Sequence, residues 1–506
     1  MKNKVQLITY PDSLGKDLKE LNQILRKELG NKIGGVHILP FYPSSGDRGF
    51  SVLTHLKVDS QFGNWQDIKK ISQKYEVMTD LMVNHISRQS EIFQDFLRKG
   101  PKSKYRDYFI TASQFSNQGR RGFWSHVWDF FRKIDKVFHY QGVSRKALEK
   151  IYRPRQGSPF QIFNIYDNRK VPIWCTFSRD QIDLNLENPK VRQMLTRAMG
   201  KLSGNGVDML RLDAVGYSIK RKGTSCFMIP ETYELVSSLG EEAHRKNLAI
   251  VPEVRGHYSW QIKLASREKV DYVYDFCLPA LVLHSLYEKN FQKLKKWIKI
   301  RPDNQVTVLD THDGIGIVDV EGFLGARETE KLIKNIYVRG GEELVGKASG
   351  ENSQNVDNYQ INTTFFSALG ESEFEYLLAR AIQFFVPGIP QVYYVGWLVG
   401  VNDREKFEKT GVGRDLNRHN YTWEEIRRER QRRVVKNLEE LMEFRNSYPA
   451  FSGKFTLKES SKDILELEWS KGKYFCRLFI NLKKRQAVIR YRNPKTGKLK
   501  NLTKFS

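Results

Sequence analysis

Eight short runs of β-branched and apolar residues recur along this chain, and stretches with helical spacing separate them. The runs are KVQLITY (4–10), GGVHILP (34–40), EVMTDLMVNH (76–85), VDMLRLDAV (207–215), LAIVPEV (248–254), VDYVYDF (270–276), QVTVLDTHD (305–313) and IPQVYYVG (389–396). Runs this uniformly apolar suit strands buried on both faces, as parallel strands are when helices cover the sheet. The intervening stretches, among them KDLKELNQILRKEL (16–29), NWQDIKKISQKY (64–75), VRQMLTRAMGKL (191–202) and TYELVSSLGEEAHRK (232–246), are amphipathic. Strand and helix alternating eight times predict an α/β protein, a closed (β/α)8 TIM barrel rather than an open sheet.

Two intervals are too long to be simple connections. Residues 86–187, after the third strand, are aromatic, basic and irregular, and we expect an inserted domain there; 314–370, after the seventh, reads as a loop-rich insertion. The barrel then comprises 1–85, 188–313 and 371–447. In 448–506 the runs KFTLKES, ILELEWS, YFCRLFINL and QAVIRY alternate between turn signals, which predicts a small antiparallel β domain.

Composition narrows the function. In 506 residues, 40% hydrophobic and 12% aromatic, there is ample material for a large core. No apolar run approaches the roughly 20 residues that span a bilayer, and MKNKVQLITYPDSLG has too short an apolar stretch for a signal peptide, so a soluble cytoplasmic protein is expected. Cys175, Cys226, Cys277 and Cys476 show no metal-ligand spacing and read as reduced packing residues; no metal, cofactor or membrane partner is expected. The net charge of +26 is spread along the chain, with clusters at 98–106, 293–302 and 427–433 and no nucleic-acid-binding module beside them. We read it as a basic surface that steers anions rather than a nucleic-acid site.

In a barrel of this type reactive groups stand at the carboxyl ends of strands, where the βα loops share one concave face. Three acidic residues hold that position: Asp213, Glu253 and Asp313, at the ends of strands four, five and seven. Glycosidic bond cleavage needs a nucleophile, an acid and a stabiliser of positive charge, which three converging carboxylates supply. Arg211, two residues before Asp213, shares its side of the strand and is expected to keep that carboxylate ionised, which suits a nucleophile. Glu253 has Val251 in the corresponding place and is the expected acid and base.

The stretches MVNH (82–85), LRLDAVGY (210–217), PEV (252–254) and LDTHDG (309–314) resemble, in order and spacing, the four signature regions of the α-amylase family. Similarity to its sucrose phosphorylase group runs nearly end to end, through GGVHILPFYPSSGDRGF, IYRPRQGSPF, VTVLDTHDGIGIVD and GRDLNRH. The resemblance implies Asp213 as nucleophile, Glu253 as acid/base and Asp313 as transition-state stabiliser. It further implies glucosyl contacts from Asp47, Phe50, His85, Phe160, Arg211, His312 and Arg414, and an acceptor or phosphate site from Arg155, Tyr217, Arg255, Asp357, Tyr359 and Gln360. The implied reaction transfers glucose from sucrose to inorganic phosphate with retention; sucrose 6'-phosphate as substrate, or α-glucoside hydrolysis, are the alternatives, and a homodimer is compatible. No GxxxxGK[ST] loop calls for a nucleotide. One departure stands out: where similar sequences place His, this chain has Arg255, a fixed cation expected either to help bind a phosphoryl group or to pair with a loop carboxylate.

Overall fold

The computed structural model describes residues 1–118, 143–155, 157–166, 168–349, 360–493 and 495–505. All eight expected runs contain a strand: β1 (Gln6–Thr9), β2 (Gly35–Ile38), β3 (Glu76–Met82), β4 (Met209–Asp213), β5 (Ala249–Pro252), β6 (Val273–Asp275), β7 (Gln305–Thr307) and β8 (Ile389–Tyr393). They form one parallel sheet in the order β6-β7-β8-β1-β2-β3-β4-β5. Its two ends meet, because the Tyr272 N–H, just before β6, donates to the Ile250 carbonyl of β5 at 3.3 Å. The α/β barrel is thus present.

Helix starts follow local chemistry. Asp17 accepts from the Lys19 and Glu20 N–H groups to cap Leu18–Ile24, Asn64 and Asp67 form a capping box on Trp65–Ser72, and Asn188 with Pro189 opens Pro189–Ser203. Strand periodicity places the site. On β4, Leu210 and Leu212 face the helices, whereas Met209, Arg211 and Asp213 face the interior. Register stacks Met78 on Met209, Asp80 on Arg211 and Met82 on Asp213. An apolar plug of Met78, Met209, Val251, Tyr274 and Val306 therefore lies beneath a charged layer, which opens into the cavity.

The long intervals carry small antiparallel ladders: His85–Ser87 with Gln181–Asp183, Phe160–Asn164 with Lys170–Trp174, and Ile315–Gly316 with Gln360–Ile361. The tail is a five-stranded antiparallel sheet spanning Lys454–Leu502. Leu465, Leu467 and Trp469 point inward, and the Trp469 indole N–H donates to the Phe385 carbonyl at 2.7 Å, docking the sheet on a barrel helix. Its last strand, Leu499–Leu502, has no alternating pattern that the sequence could reveal. The four cysteines are buried and unlinked, and no helix among the described residues is long and apolar enough to cross a membrane.

Candidate active site

A cavity of about 540 Å³ opens at the carboxyl ends of the strands, and Asp213, Glu253 and Asp313 all line it. Asp213 is the last residue of β4 and Glu253 directly follows β5. Asp313 stands differently from the sequence expectation: β7 ends at Thr307, and the carboxylate sits six residues farther, on a loop. Polar anchors hold that loop in place. Asn417 donates to the Asp313 carbonyl at 3.2 Å, and Arg418 Nε donates to the His312 carbonyl at 2.8 Å.

Arg211 organises the floor. It is 4% exposed, and Nη1 lies 2.7 Å from Asp213 Oδ1 while also bonding Asp80. Its Nη2 lies 3.6 Å from Glu253 Oε1, so the guanidinium is not Asp213's alone, as the sequence suggested, but a strut between two carboxylates. The Ala214 N–H, presented by a left-handed residue (φ 50°), donates to Glu253 Oε2 at 3.0 Å. Burial, reinforced by the Asp80 and Asp313 charges, pushes Asp213 up to about 6 against the pull of Arg211. Burial also raises Glu253, with Asp213 and Asp313 adding to it. Asp313 goes the other way: burial opposes its charge, but His312, Arg414, Arg255 and Arg211 together hold it well below the usual carboxylate range. Neighbouring carboxylates are thus pushed to opposite protonation tendencies, the condition for distinct acid and base roles.

The remaining expected residues divide into those the fold brings together and those it does not. Phe50 stacks on His312 with centroids 4.9 Å apart and planes 8° from parallel, and His85 Nε2 lies 3.1 Å from the Phe50 carbonyl. Burial lowers the pKa of both imidazoles, with Asp313 opposing this at His312 and Asp183 at His85. Arg414 Nη1 reaches Asp313 Oδ1 at 3.3 Å and Asp47 Oδ1 at 3.7 Å; with its amide oxygen turned toward that guanidinium, Gln360 accepts from it at 3.2 and 3.3 Å. Arg155 and Tyr217 also line the cavity. Asp357 and Tyr359 lie outside the described residues. Phe160 is a correction: it packs edge-on to Trp174 at 5.1 Å, in a small core with Phe115 and Cys226, and does not line the cavity. The aromatic wall comes instead from Phe50, Phe177 and Phe227, the last two unmarked in sequence because nothing local separates a wall phenylalanine from a core one.

Arg255 lines the cavity but does not turn out to solvent. It is 6% exposed, its Nη1 is 3.1 Å from Asp319 Oδ2, Nη2 donates to the Gly314 carbonyl at 3.4 Å, and the guanidinium lies over the Phe276 ring at 3.9 Å. Burial lifts Asp319 to about 6 against the pull of Arg255, leaving it ionised at neutral pH. Asp319 was missed in the sequence; lying six residues beyond Asp313, it gives no sign of which cation it meets. Among the described residues no group of three His, Cys, Asp or Glu side chains is placed to hold a metal ion.

Known proteins resemble this chain in sequence and in fold. A glucosylglycerol phosphorylase of Marinobacter adhaerens is 41% identical over 99% of each chain, a sucrose 6(F)-phosphate phosphorylase of Thermoanaerobacterium thermosaccharolyticum 42% over 99% of each, and a sucrose phosphorylase of Agrobacterium vitis 41% over 97% of each. The crystal structure of a sucrose 6F-phosphate phosphorylase from Thermoanaerobacter thermosaccharolyticum superposes with a TM-score of 0.89, at 41% identity, covering 99% of this chain and 98% of that one. An α-amylase from H. orenii, at 16% identity and a TM-score of 0.65, shares the fold. The α-amylase catalytic-domain family matches residues 25–313, more than half of the chain. With its carboxylates at the mouth of a parallel barrel and relatives of this likeness over its whole length, the chain belongs to the α-amylase family.

Proposed function

We propose that the protein is a retaining glucoside phosphorylase, transferring glucose from sucrose, or from sucrose 6'-phosphate, to inorganic phosphate. The observation that carries this reading is the Arg211 strut, which sets Asp213 and Glu253 on one guanidinium in a cavity that Arg155 and Arg414 also line. Retaining chemistry needs two carboxyls about 5–5.5 Å apart, and one guanidinium that reaches both Asp213 and Glu253 is compatible with that spacing. Asp213, mostly ionised at pH 7, attacks the anomeric carbon as Glu253 passes its proton to the departing oxygen. Asp313, firmly ionised, faces the positive charge that develops on the sugar ring. Phosphate then attacks the glucosyl-Asp213 ester, Glu253 takes back a proton from it, and α-glucose 1-phosphate leaves. His85 and Asp47 face sugar hydroxyls, and Phe50 and Phe177 supply apolar wall. Arg155, Arg414 and Gln360 bind phosphate or the leaving sugar, exchanging one for the other.

The three phosphorylase relatives differ in the molecule joined to glucose, so the acceptor is to be read directly. The test incubates the protein with sucrose, sucrose 6'-phosphate or glucosylglycerol, with and without phosphate, and identifies products by NMR. Phosphate-dependent α-glucose 1-phosphate supports the reading. Free glucose independent of phosphate would make the protein a hydrolase, and a β-phosphate would exclude double displacement. A cytoplasmic location and a homodimer belong to the same proposal and are checked by fractionation and light scattering.

A further inference from the structure

The sequence left Arg255 as a candidate phosphate ligand, yet among the described residues it pairs with Asp319, buried with it at the edge of the cavity. The local backbone is shaped around this pair. The Gly256 N–H donates to Asp319 Oδ1 at 2.9 Å. A Cβ on Gly316 would stand 2.1 Å from Asp319 Oδ2 and 2.6 Å from Arg255 Nη1, so a side chain there would displace the pair from this arrangement. Arg255 and Gly256 belong to the loop that follows Glu253, whereas Gly314, Gly316 and Asp319 belong to the loop that carries Asp313. The pair therefore bolts the acid's loop to the stabiliser's loop, with Phe276 beneath the guanidinium.

We propose that Arg255 and Asp319 are positioning residues acting as a unit: they fix Glu253 relative to Asp313, and Asp319 offsets a cation that would otherwise strip Glu253 of the proton it must donate. The inference rests on Glu253 being the acid. Among the described residues, the other groups facing Glu253 are Arg211 and Asp213 on β4, the Ala214 N–H, Tyr217, Tyr274 on β6 and Asp313. Within this set Arg211 already bonds Asp80 and Asp213. Arg255 with Asp319 is thus the balance that one substitution tips in either direction.

The experiment records kcat/KM for sucrose phosphorolysis against pH in the wild type, Arg255→Gln, Asp319→Asn and the double variant. Activity is lost on the alkaline side as Glu253 gives up its proton. Removing the cation in Arg255→Gln moves that limb upward; removing the anion in Asp319→Asn moves it downward, each by about one pH unit. The double variant returns it to near the wild-type position. A damaged scaffold lowers the curve without opposite displacements. Arg255→Lys, which keeps the charge, leaves the limb in place and serves if Arg255→Gln does not fold. Unmoved limbs, or both displaced the same way, overturn the proposal, as does a tenfold or greater rise in phosphate KM with an unmoved limb in Arg255→Gln, which would make Arg255 an anion ligand. Glu253→Gln assayed with α-glucosyl fluoride separates the two readings: an alkaline limb that survives there sinks the acid assignment along with this proposal, whereas failure of the pair variants alone sinks only the pair.

Discussion

Arginine meets carboxylates in two quite different settings in this molecule. At the barrel mouth Arg211, 4% exposed, lies 2.7 Å from Asp213 and also pairs with Asp80. On the C-terminal sheet the Arg477 side chain, 34% exposed, lies 2.8 Å from Glu468 and 3.3 Å from Glu466. The distances are alike and the consequences are not. An exposed pair is screened by water and contributes about 0–1 kcal/mol. A buried set carries desolvation costs of several kcal/mol per ion that the attraction only partly offsets, so it persists where chemistry requires it. Hydrogen-bond geometry alone therefore does not mark a functional ion pair; burial with several charges around one cation does.

The sharpest way to break this comparison is at Asp213, the proposed nucleophile. Asp213→Asn is expected to lower kcat by a thousandfold or more with the unfolding temperature retained, and Glu253→Gln to do the same for sucrose while sparing α-glucosyl fluoride, whose leaving group needs no proton. Near-normal turnover in Asp213→Asn would remove the assignment. On the other region the effect is on stability: Leu478→Ala, at a fully buried position of the sheet, should cost about 2–5 kcal/mol in urea unfolding without changing kcat per folded molecule.

The third prediction concerns acid pH. Asp213 is raised to about 6, so this proposed nucleophile is ionised above that value and protonated below it; kcat/KM should fall about tenfold for each unit of pH lowered beneath 6, and an acid limb nearer 4 would show the buried charge to be better compensated than this geometry implies. The smallest effect is expected for Arg477→Ala, within about 1 kcal/mol in the same unfolding assay and without effect on kcat. A loss as large as that of Leu478→Ala would erase the contrast between the two regions.

The barrel was legible because its signal is local and repeated: KVQLITY and LAIVPEV read as buried strands whatever their neighbours are, and period two then places Arg211 beside Asp213. The same alternation exposed four tail strands and left Leu499–Leu502 unseen, since LKNL has no apolar face. Phe160 failed for a related reason. Its position in RPRQGSPF resembles a site segment, but the ladder from Phe160 to Asn164 turns the ring onto Trp174, a partner that sequence proximity does not reveal.

By itself, then, the sequence determined the strand and helix periods, the closed α/β barrel they entail and the places of Asp213 and Glu253 where strands give way to loops, whereas Asp313 proved to sit farther along its loop. Only the tertiary structure decided that Arg211 is shared between Asp213 and Glu253, that Phe177 and Phe227 rather than Phe160 wall the cavity, and that Arg255 meets Asp319. The physical reason is range. Periodicity is written into neighbouring residues, whereas the charge state of a buried group depends on whichever side chains the fold brings within a few ångströms, and those come from loops far apart in the chain.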